Sequence, residues 1–266
     1  MTIPSLGFGT FRLEGEVAYN AVTTALSAGY RHIDTAQIYG NEAEVGQAIA
    51  DSSVNREDIF LTTKVWIENL SEDKFIESVK ESLAKLRTEY VDLLLIHWPS
   101  PPQDTSLSQA TELLIRCQQL GLTKHIGVSN FTIAQLEEIK PALGNNKLAT
   151  NQVEVHPYLI NQTLREYCTK ADITVTGYMP FAVGKVLNDD TIVDIARTHQ
   201  CTPAQVVIAW TQANGLVTIP SSTKAENIIG NLAGLTISLS NEEVEKINQL
   251  DANDRQASPD FAPDWD

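Results

Sequence analysis

The chain has 266 residues, of which 42% are hydrophobic and 20% charged, enough to bury a full core. Its formal net charge of −15 argues against binding to nucleic acid or to anionic membrane surfaces. No apolar stretch approaches the roughly 20 residues that cross a bilayer, and no basic-then-apolar leader opens the chain. With three widely spaced cysteines and no CxxC pair, these features predict an untargeted cytoplasmic protein without a disulfide scaffold or zinc site.

Short β-rich apolar runs alternate with segments of helical period along the whole chain, without a linker to divide it. Strands are predicted at residues 5–11, 31–35, 59–65, 91–98, 125–130, 150–156, 174–180 and 217–222. Helices are predicted between and after them at residues 16–28, 42–52, 72–86, 107–120, 133–143, 162–171, 203–213 and 225–232. A further helix at residues 240–250 opens with a capping box, and an acidic tail follows that is either frayed or folded over the barrel mouth.

Eight strands, each followed by a helix, predict an α/β fold of the (β/α)8 TIM-barrel type. We expect one barrel domain over residues 1–266, with the added helix and tail starting at about residue 240. A doubly wound open sheet is the alternative fold. It is disfavoured because no GxGxxG turn, the usual phosphate cradle of that fold, follows the first strand.

Polar side chains stand at the carboxyl ends of the predicted strands, which meet at one face of a barrel. They are Asp34, Lys64, His97, Ser129, Asn130, Gln152, His156, Tyr178, Ser221 and Ser222. Each has an ordinary alternative: Asp34 could cap a helix, Lys64 could reach water, and His97 could be a core histidine. Because all of these side chains are predicted at the same end of the barrel, a catalytic site is favoured over these alternatives.

Tyr39 lies in the turn after the second strand, five positions beyond Asp34. A tyrosine has an ordinary pKa of about 10, so an acid role near neutral pH calls for a nearby cation, and Lys64 is a candidate. Asp34 would in turn keep a buried lysine charged. We therefore expect Tyr39 to give a proton to a carbonyl oxygen that His97 orients.

No side chain supplies hydride, so a nicotinamide cofactor is implied. Its ring is expected on Tyr178. The groups expected to hold its carboxamide are Ser129, Asn130 and Gln152. The five histidines show no metal-ligand spacing, so no metal is expected.

Seven motifs resemble the aldo-keto reductase family, from about residue 3 to the last helix. They are LGFGTF at 6–11, GYRHIDTAQIYGNE at 29–42, TTKVW at 62–66, LLLIHWP at 93–99, IGVSNF at 126–131, NQVEVHPYL at 151–159 and IPSSTK at 219–224. The resemblance implies that Tyr39 is the proton donor, that Asp34 and Lys64 tune it, and that His97 orients the substrate. It also implies a monomer that reduces small carbonyl compounds, among them 2,5-diketo-D-gluconate and methylglyoxal.

The resemblance further implies NADPH, with NADH as the alternative, extended across the barrel mouth. Its expected contacts are Thr10, Asp34, Ser129, Asn130, Gln152, Tyr178, Phe181, Ser221, Ser222, Lys224 and Asn231. Many relatives place a lysine where Ser221 stands and an arginine where Asn227 stands. Lys224 is therefore the candidate for the 2′-phosphate.

For the substrate, the expected pocket residues are Phe11, Trp66, His97 and Trp98. Phe11 stands where many relatives carry a tryptophan. Because the chain begins almost at its first strand, the N-terminal hairpin of longer relatives is expected to be reduced or absent, and side chains must close the barrel floor.

Two other functions stay open at this point. A cofactor-binding regulatory or redox-sensing subunit with little turnover would use the same fold, although the intact four-residue set favours an enzyme. A phosphate-binding isomerase is expected to have a glycine-rich loop near the last two strands. This chain instead has IPSSTKAENI at 219–228, with hydroxyl groups and Lys224.

Overall fold

The computed structural model describes residues 2–99 and 105–266. Its eight strands are all parallel and are hydrogen-bonded in chain order. They are β1 (Phe8–Gly9), β2 (His32–Asp34), β3 (Phe60–Val65), β4 (Val91–Ile96), β5 (Thr123–Ser129), β6 (Leu148–Glu154), β7 (Thr174–Tyr178) and β8 (Val217–Thr218). Leu6 pairs in parallel with Thr218, so the first and last strands meet. The predicted (β/α)8 TIM barrel is confirmed.

The first and last strands are shorter than predicted. Residues 5–11 and 217–222 form a ladder only at Phe8–Gly9 and Val217–Thr218. The two segments meet closely there, because a Cβ at Gly9 would lie 2.7 Å from the Ile219 carbonyl oxygen. Pro220 follows, and a proline has no N–H to continue a ladder.

The helices surround the barrel. They are α1 (Gly15–Ala28), α2 (Glu42–Asp51), α3 (Phe75–Lys85), α4 (Leu107–Gln119), α5 (Ile133–Leu143), α6 (Gln162–Lys170), α7 (Asp190–Thr198), α8 (Pro203–Ala213), α9 (Ala225–Asn231) and α10 (Asn241–Asn248). All predicted helices are present, but the sequence analysis missed α7. Its signals, an Asp189 N-cap and apolar Ile192, Ile195 and Ala196, follow an irregular segment that obscures them.

Four helices start with a reciprocal capping box, in which a Ser or Thr side chain and the third helical residue bond each other's backbone N–H. The N-caps are Ser106, Thr132, Thr202 and Ser240. Each such cap stabilises a helix start by about 1 kcal/mol. These starts lie within one residue of their predicted positions, because the capping signal is local in sequence.

Side chains close the lower interior of the barrel. Phe60, Leu93 and Leu95 form a buried cluster there, with Ile3 and Ala149 packed against it. Within the described residues no strand precedes β1, and Ile3 packs on this cluster directly. The main core lies outside the strands, between them and the helices. None of the described helices is long and apolar enough to cross a membrane.

Candidate active site

A buried ion pair forms the base of the site at the carboxyl ends of β2 and β3. Lys64 Nζ donates to Asp34 Oδ1 at 2.5 Å and to the Thr35 carbonyl oxygen at 2.8 Å. The other carboxylate oxygen of Asp34 accepts from Gln152 Nε2 at 2.8 Å, across the barrel from β6. Because both oxygens and the ammonium have partners, the pair can remain charged although both side chains are buried.

Tyr39 and His97 stand above this pair. Tyr39 Oη lies 3.4 Å from Lys64 Nζ, and its ring meets the His97 ring edge-on at a centroid distance of 5.6 Å. The backbone of His97 accepts from Asn130 Nδ2 at 2.9 Å, which ties the end of β4 to the end of β5. The structure thus brings the four predicted catalytic side chains together at one end of the barrel.

Burial governs the charge state of these groups. It raises the pKa of Tyr39 well above its ordinary value, and the Asp34 carboxylate acts in the same direction. Burial lowers the pKa of Lys64, while Asp34 and Glu42 oppose that shift. Burial and the Lys64 ammonium lower the pKa of His97 well below its ordinary value. Tyr39 therefore keeps its proton near neutral pH, and His97 is a neutral imidazole.

From the sequence, Lys64 was expected to act on Tyr39 by favouring its phenolate form. In the free protein the largest influence on the Tyr39 pKa is burial, which favours the phenol. A protonated phenol is the form that can donate. The ammonium at 3.4 Å matters once negative charge begins to develop on the tyrosine oxygen.

A cavity of about 770 Å³ opens above the cluster. Asp34, Tyr39 and His97 line it, while Lys64 is fully buried beneath. Of the predicted cofactor contacts, those lining the cavity besides Asp34 are Ser129, Asn130, Gln152, Tyr178, Phe181, Ser221 and Ser222. Its size and its mixture of apolar walls with a few polar groups are typical of a small-molecule site.

Three predicted cofactor residues lie outside the cavity lining. Thr10 is buried and donates its hydroxyl to the Asp34 carbonyl oxygen at 3.1 Å. Lys224 is exposed at the start of α9, and Asn231 is buried at the end of the same helix. Thr10 therefore holds the end of β2 through the backbone of Asp34, whereas Lys224 lies on the surface beyond Ser222.

Hydrogen bonds join the polar residues on the β5 to β7 side of the cavity. Tyr178 Oη donates to Asn130 Oδ1 at 2.7 Å, and Ser129 Oγ donates to the Gln152 carbonyl oxygen at 2.7 Å. Asn130 has a φ of 63°, a left-handed conformation that asparagine tolerates better than most residues. These bonds hold the amide and hydroxyl groups in one arrangement.

Aromatic rings line the opposite side. Phe11 lies 5.1 Å from the Tyr39 ring and Trp66 lies 5.3 Å from the His97 ring, measured between centroids. Trp98 also lines the cavity. Phe11, Trp66 and Trp98, the residues expected to contact the substrate, thus line the same cavity.

The sequence analysis did not predict that a fourth aromatic residue, Phe261, lies on this side of the cavity. Its ring lies between Trp66, at 5.8 Å, and Trp98, at 5.5 Å. We call residues 251–266 the tail; it is folded over the mouth, and Gln256, Ala257, Ser258 and Pro259 also line the cavity. Of the two predictions for the tail, frayed or folded over the mouth, the second is correct. The signal was two aromatic residues in an otherwise polar, acidic segment.

Gln37 is a second residue that sequence reasoning missed. It begins the 3-10 turn Gln37–Tyr39. Its amide nitrogen donates to the Ser78 and Ser82 hydroxyls, each at 3.2 Å. Its oxygen accepts from Trp66 N and Asn69 Nδ2, each at 2.9 Å. One side chain therefore ties the tyrosine-bearing turn to α3 and to the loop that carries Trp66.

No cluster of three or more His, Cys, Asp or Glu side chains suited to a metal ion occurs in the part of the chain that the structure describes. The polar groups that line the cavity are mostly amides and hydroxyls, together with Asp34, His97 and Arg12. This set suits an organic ligand with hydrogen-bonding groups.

Comparison with known proteins agrees with this geometry. Residues 5–252 match the model of the aldo/keto reductase family. Over 267 aligned residues, with complete coverage of both chains, the sequence is 51% identical to the methylglyoxal reductase DkgB of Escherichia coli O157:H7. It is 48% identical, again over the full length of both, to the methylglyoxal reductase DkgB of Yersinia pestis. A crystal structure given the provisional name 2,5-diketo-D-gluconic acid reductase B has a TM-score of 0.95 and 42% identity, covering 99% of this chain and 94% of that chain.

Proposed function

The chain belongs to the aldo/keto reductase family and is an oxidoreductase that acts on carbonyl groups, and on that premise we propose that it reduces small aldehydes, ketones and dicarbonyls with NADPH. Tyr39 is the proton donor in this proposal. The observation that carries it is the position of the Tyr39 hydroxyl, 3.4 Å from an ammonium that is itself ion-paired and buried, at the base of the cavity.

The residues around the cavity fit a nicotinamide cofactor. Gln152 uses its amide nitrogen on Asp34, and its side-chain oxygen has no partner within residues 2–99 and 105–266, so it can accept from the carboxamide. Ser129 and Asn130 are the neighbouring candidates for the carboxamide, and Tyr178 offers a ring face for stacking. When bound, the nicotinamide supplies the hydride that the carbonyl carbon receives.

Side chains of the protein donate the proton and stabilise the charge that its transfer leaves behind. Tyr39 Oη gives its proton to the carbonyl oxygen, and the negative charge that develops on the phenol is met by Lys64, which Asp34 holds in place. His97, neutral and at the cavity wall, can donate one hydrogen bond to the same carbonyl oxygen.

For the other end of the cofactor, we propose that Lys224 contacts the 2′-phosphate of NADPH, with Ser221 and Ser222 nearby. Ser222 Oγ already accepts from Lys224 N at 3.1 Å and from Asn227 Nδ2 at 3.4 Å. Asn227 thus orders this loop, although it carries no charge to attract a phosphate. The preference for NADPH over NADH then depends on a single exposed cation.

Two substrates follow from what similar proteins are named for. The DkgB proteins are methylglyoxal reductases, and the structural neighbour carries a 2,5-diketo-D-gluconic acid reductase name. The cavity, with Phe11, Trp66, Trp98 and Phe261 as its apolar side, suits small carbonyl compounds. We propose methylglyoxal and 2,5-diketo-D-gluconate as the first substrates to test.

The test is NADPH oxidation, followed by absorbance, for the wild type and Tyr39→Phe with each substrate. We expect wild-type turnover and a loss of at least about 10²-fold in the variant, the usual contribution of a general acid, with NADPH affinity nearly unchanged because the ring is kept. Full activity in Tyr39→Phe would contradict its role. NADPH binding without reduction of any carbonyl in a wider panel would favour a regulatory subunit instead.

A further inference from the structure

Strand β6 presents two polar side chains to the same side of the sheet. Side chains alternate along a strand, so Gln152 and Glu154 share one face, and Glu154 is the nearer to the barrel mouth. Gln152 holds Asp34 of the catalytic cluster. Glu154 is fully buried, and the proton transfer described above does not use it.

The Glu154 carboxylate binds the tail. Its Oε1 accepts from the backbone N–H of Gln256 at 2.7 Å, and its Oε2 accepts from the backbone N–H of Ala257 at 2.8 Å. His156 Nε2 lies 2.8 Å from Oε1 and must donate, since a carboxylate has no proton to offer. Three donors therefore satisfy a carboxylate that would be costly to bury alone.

The two residues held in this way are part of the cavity. Gln256 and Ala257 both line it, and Phe261, four positions beyond Ala257, completes the aromatic wall with Trp66 and Trp98. The charged contacts of the tail elsewhere are more exposed. Lys185 meets Asp254 at 2.9 Å with both side chains partly in water, and such pairs contribute little.

We propose that Glu154 is a positioning residue that holds the tail in place as a wall of the substrate cavity. The inference rests on the proposed reductase function for its kinetic consequence, but not for its structural one. Because Glu154 and Gln152 stand on the same strand, β6 fixes the distance between the tail and the catalytic cluster. This distance affects the binding of the carbonyl substrate and not the chemical step.

The test is Glu154→Gln, which keeps the volume but puts an NH2 group against backbone N–H donors. Hydrogen exchange of the amides of residues 256 and 257 should become at least about tenfold faster, as expected for losing a hydrogen bond to a charged group. Exchange in α10 and β4 should not change. KM for methylglyoxal should rise about fivefold to tenfold, while kcat and NADPH affinity change less than about twofold.

Two further variants separate this role from general stability. Glu89→Gln removes a charge from an exposed position and should leave exchange and KM as in the wild type. Ala257→Pro removes one donor while sparing Glu154 and His156, and should raise KM and release the tail in the same direction. It also keeps the proposal testable if Glu154→Gln does not fold.

The effects of Glu154→Gln and Phe261→Ala on KM should not add, because both act through the same wall. Unchanged exchange at residues 256 and 257 would overturn the anchoring role, and faster exchange with an unchanged KM would overturn the positioning role. If the wild type reduces no carbonyl, the proposed function fails and the kinetic part fails with it. The exchange measurement still decides whether Glu154 anchors the tail.

Discussion

The catalytic cluster and the tail border the same cavity, but they are held by different means. Asp34 and Lys64 stand on paired strands, and their contacts are buried hydrogen bonds. The tail has no helix or strand and depends on Glu154, on aromatic contacts, on backbone hydrogen bonds to the Tyr158 carbonyl oxygen and on one partly exposed ion pair. The barrel strands therefore hold the buried ion pair, while a segment without helix or strand borders the entrance of the cavity.

This difference has a kinetic meaning. Groups that act only in the transition state should change kcat, whereas groups that bind the substrate before and during reaction should change KM. Substitutions in the cluster are accordingly expected to lower kcat, and substitutions in the tail to raise KM. Each experiment below either separates the two regions further or shows that they act as one.

The largest effect in the cluster after loss of the tyrosine is expected from Lys64→Met. With Tyr39 as the proposed proton donor, removing the ammonium takes away the charge that would stabilise its developing phenolate, so kcat should fall on the order of 10³-fold. It also leaves the buried Asp34 carboxylate without its cation, so the free energy of unfolding should fall by about 3–5 kcal/mol. Steady-state kinetics and thermal unfolding measure the two effects.

The double variant Asp34→Asn, Lys64→Met separates stability from chemistry. With both charges gone, much of the lost free energy of unfolding should return, because no buried carboxylate is left unpaired. Turnover should stay low, since the ammonium is still missing. Recovery of kcat in the double variant would mean that Lys64 contributes only to folding.

Gln37→Met tests whether the cluster depends on more than its own four residues. Methionine matches the length of glutamine but leaves Trp66 N and Asn69 Nδ2 without an acceptor. We expect kcat to fall about tenfold as the tyrosine-bearing turn shifts, the size of one lost buried hydrogen bond. NADPH affinity should not change.

Gln37→Glu is the matched control, because it keeps an acceptor for Trp66 N and Asn69 Nδ2 while removing the donors to Ser78 and Ser82. It should recover most of the kcat lost in Gln37→Met. Equal losses in the two variants would contradict the idea that the acceptor half of the amide holds the turn.

For the tail, Phe261→Ala should raise KM for methylglyoxal about fivefold to tenfold by removing apolar contact area. The change in kcat should stay within about twofold, and unfolding should be nearly unaffected because Phe261 is partly exposed. Trp265→Ala is the control, since Trp265 packs on Trp98 from outside the cavity lining and should have a smaller effect. A fall in kcat with constant KM would place the tail in the chemical step.

The cluster and the tail also differ in how far the sequence could predict them. Strand periodicity and capping residues are local signals, so the barrel, its helix starts and the strand-end residues Asp34, Lys64 and His97 could be predicted. Tyr39 was predicted from its place in the turn after the second strand and from the resemblance of residues 29–42 to an aldo-keto reductase motif. Helix α7 was missed because its signals, though local, follow an irregular segment.

Contacts between distant parts of the chain could not be read in the same way. The bond between Glu154 and Gln256 spans 102 positions, and the bond between Gln37 and Ser82 spans 45. Neither glutamine nor glutamate carries a sequence pattern for such partners. The pKa of Tyr39 likewise depends on burial, which only the folded chain defines.

The smallest effect is expected at the far end of the cofactor, where the loop after β8 resembles the tail more than the cluster. Lys224 is exposed, so its attraction for a 2′-phosphate is screened by water. Lys224→Ala should therefore raise KM for NADPH only about threefold to fivefold, the range of an exposed ion pair, and leave KM for NADH unchanged. The NADPH effect should shrink as salt is added, because the contact is electrostatic. Equal effects on both cofactors would place the 2′-phosphate elsewhere. A much larger effect on NADPH alone would mean that cofactor binding removes Lys224 from water, so that the loop holds the phosphate in a buried contact, as the cluster holds its ion pair.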